Sequence, residues 1–86
     1  MDIDQTNVIN RLKRAEGQLR GIQKMIDEQQ ECEAIVTQLT AVRSSIDSIK
    51  GIIVAENLKY CLTNPDIDVE TQNKKIEKAV DLIIKK

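Results

Sequence analysis

Two cysteines, Cys32 and Cys61, are the side chains of this 86-residue sequence best suited to nucleophilic, redox or soft-metal chemistry, and there is no histidine beside them. A cysteine in an apolar helical stripe often serves only as a small buried hydrophobe. The alternative is a reactive or ligating thiol pair, which is how two cysteines read where thiols stay reduced. Spacing restricts that pair. With about 100° per residue, Cys32 and Cys61 project within roughly 20° of one another on a single helix. They are 29 positions apart, or about 43 Å along a helix axis at 1.5 Å per residue. A disulfide needs Cα atoms within roughly 7 Å, so one chain cannot join its own thiols while that helix is intact. Two antiparallel copies of the helix, related by a two-fold axis near Ile46 and Asp47, would instead place Cys32 of one chain opposite Cys61 of the other. Symmetry then creates two equivalent sites.

The elements that must position these thiols follow from apolar periodicity. Val8, Leu12, Ala15, Leu19, Ile22 and Ile26 recur at alternating steps of four and three, which predicts a helix over about 4–29. Gly17 and Gly21 fall on its opposite side. The same pattern in Ile35, Leu39, Val42, Ile46, Ile49 and Ile53 predicts a second helix over about 32–63, with Gly51 as the place for a bend. Pro65 ends it, because proline cannot continue a helix and disfavours helical geometry at Asn64. Asp68 is a candidate N-cap for a third helix over 69–85, with Ile76, Val80 and Ile83 on one face. No strand signal is present. The expectation is one all-α domain over 1–86, built on a long antiparallel helical hairpin.

Composition bounds the assembly. Tyr60 is the only aromatic residue, so an aliphatic core must hold a small chain, and such chains often complete their burial by oligomerising. Pairing two hairpins about a two-fold axis gives a four-helix bundle. The opening "MDIDQTNV" has no basic stretch ahead of an apolar run, so no signal peptide is expected. No apolar run approaches the roughly 20 residues of a membrane span. The expected location is the cytoplasm, without a membrane partner. An enzyme is not expected, since there is no histidine, glycine-rich phosphate loop or acid/base pair.

Formal net charge is −1, which says nothing about partners, but its distribution does. Between Asn10 and Met25 the bases Arg11, Lys13, Arg14, Arg20 and Lys24 face Glu16 alone. Arg11, Arg14 and Gln18 border the apolar stripe, while Lys13, Arg20 and Lys24 share a face pointing away. A basic helix face is commonly just solvated; the alternative is contact with a phosphate backbone. No helix-turn-helix, zinc-finger or ribbon signature accompanies it.

The blocks "RLKRAEGQLRGIQKMI", "CEAIVTQLTAVRSSI" and "ENLKYCL" together resemble the copper-sensitive operon repressor (CsoR-like) family of bacterial transcriptional repressors, over residues 7 to 63. The resemblance implies a dimer of dimers that binds operator double-stranded DNA and releases it when an inducer reacts at cysteines between subunits. It implies DNA contacts at Arg11, Lys13, Arg14, Arg20, Lys24, Arg43 and Lys50. Copper-sensing members carry a cysteine, then a histidine and a cysteine four residues apart; the matching positions here are Cys32, Asn57 and Cys61. Asparagine supplies no imidazole. Retention of both cysteines without the histidine resembles the CstR-type branch, which senses persulfides and polysulfides through di- to tetrasulfide links between subunits. That reading requires no cofactor and no metal. The alternative is a Cu(I)-responsive repressor with Cys32 and Cys61 as two thiolate ligands, and a helical interaction module with packing cysteines is the reading from a different class.

Overall fold

The computed structural model describes residues 3–85, and Met1, Asp2 and Lys86 lie outside them. Three helices follow in order, α1 (Gln5–Asp27), α2 (Cys32–Thr63) and α3 (Val69–Ile84), with no strand among the described residues. The all-α expectation is met. The described residues fall into two compact units, Asp4–Ile49 and Ile3 with the segment from Lys50 onward, and α2 runs from the first into the second.

Local chemistry sets the helix ends. Asp4 caps α1 by accepting a hydrogen bond from the Asn7 amide at 3.1 Å, and Asp68 caps α3 by accepting from the Glu70 amide at 3.3 Å. These carboxylates satisfy amides that have no partner within the helix. Thr71 Oγ1 also donates to Asp68 at 2.6 Å. α1 ends two residues before the expected limit because the chain reverses at Gln29, whose φ is 55°. There the Gln29 amide donates to Ile26 O and the Gln30 amide to Met25 O, both at 3.0 Å. This double closure is the Schellman arrangement, in which the left-handed residue is usually glycine.

In the Asp4–Ile49 unit, α1 and the first half of α2 form an antiparallel hairpin. Its seam is made of Val8, Ala15 and Ile22 from α1 with Val42 and Ile49 from α2, each at most 5% exposed. Burial therefore recurs at every seventh residue, taking three of the six expected stripe residues in α1 and two of the six in α2. Leu12, Leu19, Leu39 and Ile46, the alternate members, remain 41–46% exposed. The 100° helical step puts all four on the same edge of the seam. In the second unit, α3 packs back on the end of α2 around Ala79, which is 1% exposed.

Replacing Gln29 with glycine should stabilise the fold. A non-glycine residue in the left-handed region costs of order 1–3 kcal/mol, and glycine carries no such cost. The expected outcome is a gain near the lower end of that range, read as a higher urea midpoint at unchanged slope.

Candidate functional site

Each cysteine occupies an end of α2. Cys32 is the first residue of the helix, and Cys61 lies two residues before its last, Thr63. Both thiols are free; Cys32 is exposed and Cys61 partly buried. The Schellman turn over Gln29 and Gln30 directs the chain into α2 and so fixes where Cys32 begins it. Around the helix, Cys32 lies within roughly 40° of Leu39 and Ile46, on the edge whose apolar side chains are open.

The turn bearing Cys61 is tied to the α2–α3 connection. Gln72 of α3 donates from Nε2 to the Cys61 carbonyl at 2.8 Å, while its Oε1 accepts from the Asp66 amide at 2.8 Å. One amide side chain thus bridges the end of α2 and the loop that follows. Lys75 Nζ donates to Asp66 Oδ2 at 3.0 Å. This bond is the main reason the Asp66 carboxyl is held below its ordinary value of 3.8. The same bond, with smaller help from the negative charge that Cys61 and Tyr60 can carry, raises the Lys75 ammonium above its ordinary 10.5. Sequence reasoning missed Gln72 and Lys75. Their only sequence signal is a three-residue spacing on α3, which says nothing about what they reach.

The seven basic residues named from the sequence are all exposed but do not form one surface. Arg11 and Arg14, with Gln18, line a groove beside Ser45, Ser48 and Ile49 of α2, with a volume of about 300 Å³. Lys13, Arg20 and Lys24 lie roughly 130° away round α1, and Lys24 pairs with Glu28 at 3.7 Å. An exposed pair of that kind contributes little. Arg43 belongs to neither group, lying on the α2 edge nearer the open apolar residues. Lys50 Nζ donates to the Lys85 carbonyl at 2.7 Å, near the end of α3.

Among the described residues, no three histidine, cysteine, aspartate or glutamate side chains gather in a way that could hold a metal. With no imidazole in the chain, the thiolate donors are Cys32 and Cys61 alone. Such a pair does not suit nickel, which favours imidazole and related nitrogen donors, and offers Cu(I) a two-thiolate site. No helix among the described residues is long and apolar enough to cross a membrane.

A family model described as metal-sensitive transcriptional repressor matches residues 4–85. The copper-sensing transcriptional repressor RicR of Mycobacterium tuberculosis is 42% identical over 57 residues, covering 66% of this chain and 59% of RicR. The copper-sensing transcriptional repressor CsoR of Bacillus subtilis is 31% identical over 61 residues, covering 71% of this chain and 60% of its own length. YrkD of B. subtilis, which has no described function, is 36% identical, with 71% of this chain and 97% of YrkD covered. Among solved structures, the nickel-responsive transcriptional regulator InrS superposes with a TM-score of 0.79 at 28% identity, covering 88% of each chain. The match thus spans about three fifths of the two copper-sensing relatives.

The Asp66–Lys75 pair makes stability depend on pH at both extremes. A carboxyl with a lowered folded pKa contributes above 3.8 and loses that contribution as pH falls through the lowered value. A raised ammonium contributes below 10.5 and loses it as pH rises through the raised value. Thermal midpoints measured across pH should therefore fall less steeply at both limits in Asp66→Asn than in the unaltered chain, with the two curves parallel near neutrality.

Proposed function

The chain belongs to the family of metal-sensitive transcriptional repressors, and from that premise we propose that it is an operator-binding repressor whose inducer is reactive sulfur, a persulfide or polysulfide. The observation that carries the sulfur reading is the donor set: two free thiols at the ends of α2, with Asn57 one turn before Cys61 and no histidine in the chain.

The proposed protein is cytoplasmic, with each chain acting as a single repressor domain. Two chains pair through the open edge formed by Leu12, Leu19, Leu39 and Ile46, and two pairs assemble into a homotetramer. These side chains are 41–46% exposed, so covering what remains contributes less than half of the roughly 1.5–3 kcal/mol that full burial of such a side chain is worth. Antiparallel pairing of α2 brings Cys32 of one chain opposite Cys61 of its partner. Arg11, Lys13, Arg14, Arg20, Lys24, Arg43 and Lys50 are the proposed DNA contacts, with Lys50 required to leave the Lys85 carbonyl before reaching a phosphate.

The chemistry balances without a separate oxidant. The Cys32 thiolate attacks the terminal sulfur of a persulfide, forming a Cys32 persulfide and releasing the donor thiolate. Attack by the partner's Cys61 thiolate on the Cys32 Sγ then forms a disulfide between subunits and expels hydrosulfide. Where a longer sulfur chain has been transferred, attack further along it retains one or two extra atoms, giving a tri- or tetrasulfide. Extra sulfur spans a wider gap than a disulfide can, favouring this inducer over simple oxidants. Cross-links at both ends of the pair shift the tetramer away from its DNA-binding arrangement.

The names of RicR and CsoR favour a second reading, Cu(I) held between Cys32 and the partner's Cys61. Intact-mass measurement after treatment with inorganic polysulfide separates the two. Covalent dimers carrying whole extra sulfur atoms, together with loss of operator binding, are expected; Cys32→Ala should bind DNA normally and not respond. Unmodified monomer that keeps its operator would remove the sulfur reading, and DNA release by Cu(I) under a strong chelator would put copper in its place. Leu39→Glu combined with Ile46→Glu should reduce the sedimenting species to a single chain.

A further inference from the structure

We propose that the groove between α1 and α2 is a seat for a tetrahedral oxyanion, and that in the repressor it holds one backbone phosphate of the operator duplex. The proposal rests on the DNA-binding reading and adds Gln18, Ser45 and Ser48 to it.

The groove draws on both helices. Arg11, Arg14 and Gln18 come from α1, Ser45 and Ser48 from α2, and the buried side chain of Ile49 contributes an apolar wall. No carboxylate lines it, so two guanidinium charges stand there uncompensated. Arg11 Nε donates to Asn7 Oδ1 at 3.3 Å, which steadies that side chain and leaves its terminal N–H groups available. Among the described residues, Arg14, Gln18 and Ser48 have no side-chain hydrogen bond or ion pair within the chain. Ser45 Oγ donates to the Ala41 carbonyl at 3.2 Å and forms the side of the groove. A guanidinium fork matches the oxygens of a phosphate, and amide and hydroxyl groups are common further donors to DNA phosphates. At about 300 Å³ the groove has the volume of roughly ten liquid waters, which is ample for one phosphate group.

Its location suits a role in the assembled protein. On α1 and on α2 alike, the groove residues lie on one edge of the buried row, and Leu12, Leu19, Leu39 and Ile46 lie on the other. A second copy seated on the apolar edge leaves the groove open. Lys13, Arg20 and Lys24 have no facing helix, whereas here donors from two helices converge on one point.

The experiment uses the full chain and a duplex from the region preceding its own gene. Ser48→Asp sets a carboxylate against the two guanidiniums and should weaken duplex binding about tenfold or more. It should also reduce the slope of log affinity against log salt by about 0.9, one phosphate's share. Ser48→Ala, which removes only a donor, should lose a few-fold, and circular dichroism and sedimentation should match the unaltered chain in both. Wild-type affinity and slope in Ser48→Asp would overturn the proposal. Sulfate added at constant ionic strength, followed by amide and arginine side-chain NMR shifts, separates the sources. Saturable shifts at Arg11, Arg14 and Ser48 that vanish in Ser48→Asp support an oxyanion seat even if the chain binds no duplex, in which case only the repressor reading fails. Shifts there with the duplex but not with sulfate support a seat specific to the phosphodiester. Absence of shifts with either ligand overturns the seat.

Discussion

The hairpin depends on a seam only one residue wide in each helical repeat. Val8, Ala15 and Ile22 form the buried row of α1 and Val42 and Ile49 that of α2. Because burial recurs every seventh residue, each helix presents a single row to the other and leaves its second apolar row at the edge. That fixes the rest of the unit. The groove with Arg11 and Arg14 must lie on one side of the seam and the leucine-rich edge on the other. A wider seam would have covered Leu12, Leu19, Leu39 and Ile46 within one chain, leaving little apolar surface for a second copy.

The same constraint explains what was legible in the sequence. Alternating steps of four and three identify both long helices, since no other regular structure matches that period. Pro65 and Asp68 mark the α2–α3 connection because each acts through local backbone chemistry. Periodicity reports a stripe but not its width, so it could not say which half of the stripe closes the hairpin and which stays open. Gln29 went unrecognised as the end of α1 because left-handed geometry at a helix end normally announces itself as glycine. The division of the basic residues was only half visible. The wheel separates Arg11 and Arg14 from Lys13, Arg20 and Lys24, but nothing in it reveals that Ser45 and Ser48 stand opposite the arginines. Contacts such as Gln72 to the Cys61 carbonyl and Lys50 to the Lys85 carbonyl join residues far apart in sequence, where pattern carries no information.

Cys61 is held differently from Cys32. Its turn is bound to Gln72, and through Gln72 to the amide of Asp66, which in turn pairs with Lys75. Movement of the Cys61 backbone must therefore disturb hydrogen bonds that define the start of α3. Cys32 begins its helix beyond a tight reversal and is exposed. In the proposed reaction this asymmetry divides the work. The accessible thiol meets the sulfur donor first, and the thiol embedded in a bonded network captures it and transmits the change.

Coordination chemistry, rather than similarity, separates sulfur from copper as the inducer. The copper-sensing relatives share the repressor scaffold, and a scaffold does not determine what its site receives. Two thiolates alone can hold Cu(I), but they are also the minimum needed to trap sulfane sulfur as a covalent link. Imidazole would improve the first process and contribute no sulfur to the second. A chain with both thiols and asparagine one turn before Cys61 offers two nucleophiles and no imidazole ligand. Asn57 remains neutral, so it adds neither a negative charge to repel an anionic persulfide nor a base to compete for its proton. In the proposed repressor, asparagine at this position therefore favours the sulfur reaction over a metal site.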